Sequence, residues 1–185
     1  MVGMGALWMP VVVAAVLVFA ASFVVWIILP HHRSDWSRLP DEEAVRRALT
    51  RDIPPGQYVV PFAADAKAME DEGYRRKCEE GPMGILTMRR PAKPSLGKPL
   101  LLSFLYYLVV AASVAYVTGL SLPEGARYLD VFRISGTAAT MAFAGALPME
   151  ALWFGRPWGV TLKAMADGVA YGLLTAGVFG WLWPR

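Results

Sequence analysis

The chain has only two histidines, His31 and His32, adjacent to one another, with Asp35 three residues further on. Two imidazoles and a carboxylate so close together are donor types that hold a metal ion, and the imidazoles also suit a headgroup phosphate. An adjacent histidine pair at the end of an apolar run serves equally as an interfacial polar cap. Both readings stand at this stage. Glu150 and Asp167 are the only acids within the long apolar stretches of the second half. Ionisable groups inside a membrane mark proton or cation paths, or else pair with nearby bases. The nearby bases are Arg156 and Lys163, so a structural ion pair closing a hairpin is the simpler expectation and a relay the rival.

Several chemistries lack their residues. There is no Gly-rich loop ending in Lys-Ser/Thr, no His-Glu-x-x-His and no Cys-x-x-Cys-His, which weakens the cases for an ATPase, a zincin-type protease and a c-type haem protein. Neither histidine lies at the middle of an apolar run, so a bis-histidine haem inside a helix bundle has no ligands in this chain. Cys78 is the single cysteine, so no intrachain disulfide forms, which is compatible with a reducing compartment. No catalytic residue and no cofactor is assigned.

The elements that must position these residues are membrane spans. Hydrophobic residues make up 56% of the chain and mean hydropathy is +0.40, above the usual range of soluble globular chains. Val11 to Leu29 and Leu100 to Leu120 are uncharged runs of 19 and 21 residues, long enough to cross a hydrocarbon core of about 30 Å. The first has no Lys or Arg ahead of it and exceeds a typical signal-peptide core, so it reads as a retained span. Two further spans follow if Glu150 and Asp167 are accommodated, the third with a kink expected at Pro148, just before Glu150. The alternative, two spans with two re-entrant or interfacial segments, satisfies backbone polar groups less completely than full helices do.

The expected fold is therefore an all-α membrane protein with four transmembrane helices and a small α+β cytoplasmic segment between helices 1 and 2. Residues 1–29 carry helix 1, 30–99 the basic α+β segment, 100–120 helix 2, 121–133 an outer loop, 134–154 helix 3, 155–159 an inner turn and 160–183 helix 4. Of the 18 Lys and Arg residues, 13 lie in 30–99. With the turn bearing Arg156 and Lys163 on the same side, 15 bases face one side and 3 the other. Basic loops are retained in the cytoplasm, which puts both termini outside. Trp8, Trp26, Trp153, Trp158, Trp181 and Trp183 fall near the expected span ends, where amphipathic rings favour the headgroup level.

Within 30–99, the acids of Pro40-Asp41-Glu42-Glu43 open a helix running to Thr50, with Arg46 and Arg47 near its end as the helix dipole prefers. Gln57 to Pro61 and Gly84 to Met88 read as strands, and Ala66 to Glu80 as a helix containing Gly73. The segment is marginal for independent folding. Its bases cluster at its two ends, beside the bilayer, which suits anionic headgroups. They do not interleave with aromatic residues, so nucleic acid is not an expected partner.

In the last span Gly168, Gly172, Ala176 and Gly180 recur every fourth residue and form one flat helical face. Gly136, Thr140 and Ala144 make a shorter version in the third. Small faces of this kind let helices approach closely, and the two stripes are expected to face each other or another span. A permeation path lined by small residues is the rival reading.

LPHHRSDW after the first run, ALWFGRPW at the third turn and DGVAYGLLTAGVFGWLWP at the end resemble a family of small four-span bacterial inner-membrane proteins of unassigned function. The resemblance implies a bacterial inner-membrane location and no activity. The leading functional expectation is a non-catalytic small subunit or assembly factor of a larger complex, with membrane lipids and other membrane subunits, or a second copy, as partners. A small ion or solute transporter using Glu150 and Asp167 is one alternative. A membrane-interface enzyme using His31, His32 and Asp35 is the other.

Overall fold

The computed structural model describes residues 1–49 and 53–185. It is mostly helical, with one small two-stranded sheet, and divides into two units. The first comprises Met1–Ser37 with Ser95–Arg185, and the second Arg38–Pro94.

In the first unit, α1 (Trp8–Phe23) is preceded by a 3-10 turn, Met4–Leu7, and prolonged by a π-helical turn, Val24–Ile28. α5 (Gly97–Ser121), α6 (Tyr128–Ala144), α7 (Leu147–Phe154) and α8 (Trp158–Trp181) follow the second unit in the chain. Two helical stretches, Met4–Ile28 and Gly97–Ser121, are 25 residues each with mean hydropathy 3.0 and 2.1, long and apolar enough to cross a membrane. α1 packs on α5 and α8, α5 also packs on α6, and α6 packs extensively on α8. These four helices thus close into a ring, and α7 lies against α8.

Small side chains take many of the buried positions in the ring, alongside Val18, Val114, Val131 and Phe179. Ala14, Ala15, Ala111, Ala115, Ala139 and Ala176 are buried, whereas Leu17, Leu101, Leu105, Val109, Leu162 and Leu173 point outward. Buried hydroxyls are satisfied within their own helices: Thr118 donates to the Val114 carbonyl at 2.8 Å, Ser135 to Val131 at 2.7 Å and Thr175 to Tyr171 at 2.9 Å. Such i−4 bonds let a hydroxyl sit inside an apolar bundle without a second partner. At one end of the ring the Val2 N–H donates to the Gly119 carbonyl at 2.8 Å. A Cβ on Gly119 would lie 2.7 Å from the Val2 carbonyl oxygen, so glycine is what admits this backbone.

Three expectations need correction here. The helix expected across 134–154 is broken at Gly145–Ala146, between α6 and α7. Pro148 is the cause: it has no N–H for the Ala144 carbonyl, and its ring crowds that carbonyl. Gly145 still donates to Met141, closing α6. Trp183 is not an exposed ring beyond the end of α8. It is buried, and its indole N–H donates to the Pro123 carbonyl at 3.0 Å.

The third correction lies in the second unit, whose elements are α2 (Glu42–Ala48), β1 (Gly56–Val60), α3 (Ala66–Glu70), α4 (Glu72–Glu80) and β2 (Gly84–Met88). The helix expected over 66–80 is two helices, because Asp71 leaves the helical conformation and caps α4, accepting from the Tyr74 N–H at 3.0 Å. Asp41 and Asp65 cap α2 and α3 in the same way. The expected end of the first of these helices at Thr50 lies outside the described residues. β1 and β2 pair antiparallel from Gly56 opposite Met88 to Val60 opposite Gly84. Among its described residues the unit buries none. Tyr58, Val60, Phe62, Met83 and Ile85 are all exposed.

Candidate functional site

After Leu29 the chain turns through a 3-10 segment, Pro30–Asp35, that lies against α8. Lys163 and Asp167 are four apart on α8, so both side chains leave the same face of that helix. The turn meets that face. His32 is 5% exposed and both of its ring nitrogens are engaged by carboxylates: Nδ1 lies 2.6 Å from Asp35 Oδ2 and Nε2 lies 2.7 Å from Asp167 Oδ2. Two carboxylates cannot both accept from a neutral imidazole, which carries a single N–H. His32 bridges the two carboxyl groups in a row, Asp35 on one side and Asp167 on the other. The His32 ring is stacked on the Trp26 indole, centroids 3.8 Å apart and planes within 2°, which fixes its orientation. His31 is adjacent, its Nε2 3.5 Å from Asp167 Oδ1.

Lys163 closes the other end of the row. Its Nζ donates to Asp35 Oδ1 at 2.8 Å, to Ser34 Oγ at 2.7 Å and to the His31 carbonyl at 2.8 Å. All three ammonium protons are used. The hydrogen bonds from Lys163 first, and from His32 second, hold the Asp35 carboxyl below its ordinary value of 3.8. Beyond Asp167 by one turn on α8 is Tyr171, 6% exposed, whose hydroxyl is the buried side-chain polar atom without a partner among the described residues.

The expected sites are distributed as follows. His31 and His32 come together with Asp167, within 4.8 Å of one another. Asp35, expected beside the histidines as a ligand, spends its two oxygens on His32 and Lys163 instead. Asp167 pairs with the histidines and not with Lys163 or Arg156. Glu150 makes no side-chain hydrogen bond or ion pair with a described residue, so the two acids expected to form one path are not linked. The small-residue stripes meet each other. A Cβ on Gly136 would be 2.9 Å from the Ala176 Cβ, one on Gly168 2.9 Å from the Ala144 Cβ, and one on Gly172 would press on Thr140. Gly180 lies against the Tyr128 ring.

The sequence reading missed three participants. Trp26 was placed as a headgroup-level ring and is the stacking platform of His32. Lys163 was given the wrong acid. Tyr171 was not singled out. One signal was available: Lys163 and Asp167 share a helical face, and His32 and Asp35, three apart in a turn, offer complementary groups at matching spacing.

No family model, curated protein or solved structure matches the chain. The resemblance noted above rests on its three motifs alone.

Proposed function

We propose that the protein is a four-span protein of a bacterial inner membrane, acting as a non-catalytic small subunit or assembly factor of a larger complex. The spans are α1, α5, α6 with α7, and α8, with both termini outside and residues 30–99 in the cytoplasm. The many buried alanines and glycines and the large apolar residues facing outward support this, since small residues at helix contacts are what close packing in lipid favours. Asp167 then lies near the cytoplasmic boundary, with the uncharged helical stretch 168–181, roughly 21 Å of helix, on its far side.

The observation that carries the subunit reading is the second unit. A chain segment with no buried residue among those described has little to offset its ordering entropy. Its exposed Tyr58, Val60, Phe62, Met83 and Ile85 gain cover from a protein surface or from lipid. The transporter alternative draws less support, since Asp167 is committed to two histidines and Glu150 stands apart from it.

Purification of the full chain in mild detergent after chemical crosslinking tests the reading. A membrane protein recovered in fixed stoichiometry, and lost when Tyr58 and Ile85 are both replaced by Ser, is the expected result. A homo-oligomer that carries ion flux in proteoliposomes would overturn it.

A further inference from the structure

We propose that His31, His32 and Asp167 form a site for one divalent cation of the zinc class, with Asp35 orienting His32. The inference does not depend on the subunit reading. The three side chains present two imidazole nitrogens and a carboxylate within 4.8 Å, one of the ligand sets that zinc accepts. Calcium and magnesium prefer all-oxygen shells and fit this set poorly.

The spacing agrees. Ligand atoms about 2.0–2.1 Å from a tetrahedral ion stand about 3.3 Å apart. His31 Nε2 and Asp167 Oδ1 are already 3.5 Å apart. His32 Nε2 and Asp167 Oδ2 are closer, at 2.7 Å, a hydrogen-bond distance. The cation takes the place of that hydrogen bond, and the pair opens by about 0.6 Å to reach the tetrahedral ligand spacing. His31 is 35% exposed and has room to swing inward.

The surroundings are those of a ligating histidine. A metal-bound imidazole usually donates its other N–H to a carboxylate, which sets the tautomer and raises its basicity. Asp35 Oδ2, at 2.6 Å from His32 Nδ1, does this, and Lys163 holds Asp35 in turn. Two carboxylates and one lysine leave one negative charge to be met by a proton or a cation. Three protein ligands leave the fourth position open to water or to an incoming group.

The test uses the full chain in detergent, purified by a histidine-free tag, with zinc alone as the probe. Calorimetric titration should give one zinc per chain, zinc should raise the melting temperature, and cobalt in its place should give the visible absorption of a tetrahedral ion. The chain has no other histidine and a single thiol, so Cys78→Ser should bind as before. His31→Ala and Asp167→Asn should lose saturable binding, and Asp35→Asn should weaken it by about 10–100-fold. His31→Ala spares the Asp35–His32–Asp167 row, so it remains informative if Asp167→Asn fails to fold. Absence of saturable zinc binding in the unmodified chain, or equal binding by His31→Ala, would overturn the proposal.

Discussion

Replacing Gly172 by alanine adds one methyl group at the tightest point between α6 and α8. The new Cβ would press on the Thr140 hydroxyl and lie 3.0 Å from both the Thr140 Cα and its backbone nitrogen. Two of those three neighbours are backbone, so no rotamer change relieves the contact and the helices must separate. Overpacking of this kind costs about 1–3 kcal/mol. Alanine also gains helix propensity over glycine, by up to about 1 kcal/mol, which would blur a comparison with the unmodified chain. Gly177 supplies the control. It lies in the same helix, and a Cβ there meets only the Tyr128 hydroxyl, at 3.9 Å. The propensity gain is common to both variants and cancels in their difference. Gly172→Ala should therefore be about 1–3 kcal/mol less stable than Gly177→Ala in reversible unfolding in mixed micelles. Equal stability of the two variants would refute the close-packed α6–α8 face, whatever either does relative to the unmodified protein.

Two further outcomes follow from the geometry. The Asp35 carboxyl is held below its ordinary value by Lys163 and His32, so its charged form is favoured in the folded state. The stability it contributes is complete above its unfolded value, near 3.8, and is lost as pH falls through its lowered folded value. The gap in melting temperature between the unmodified chain and Asp35→Asn should thus shrink on acidification, and a gap that stays constant down to low pH would count against the Lys163–Asp35 contact. Orientation is testable at Cys78: an impermeant thiol reagent should leave it unlabelled in intact cells and label it in inverted vesicles, and labelling in intact cells would reverse the assigned sides.

What was legible in the sequence was what depends on neighbours along the chain. A four-residue recurrence of glycine and alanine defines a helical face without reference to anything else, and the α6 and α8 faces do meet. The two long apolar helices and the two strands announce themselves by composition over a short window. The polar cluster does not. Asp167 was assigned to Lys163 or Arg156 because they are close in sequence, yet residues four apart on a helix point the same way and compete for partners from elsewhere. The partner came from 135 residues away. The break before α7 had its signal in Pro148, but proline disrupts the helix three to four residues upstream of itself, so the break at Gly145–Ala146 precedes the residue that causes it. Asp71 was hidden for a different reason: a capping side chain stops one helix and starts another without any glycine or proline to mark the place.

The 135 residues between His32 and Asp167 are also an interval of time. A ribosome adding about 5–20 residues per second would deliver α8 roughly 7–27 s after the turn that follows α1. Through that interval His32 and Asp35 can bond each other, but Asp35 lacks Lys163 and His32 lacks Asp167. The turn after α1 and helix α8 are thus the pair whose polar groups lock together, and the ring cannot close until α8 has been made. Whatever attends the nascent chain meets α1 with an open acid–imidazole turn, and meets it closed only once Asp167 has arrived.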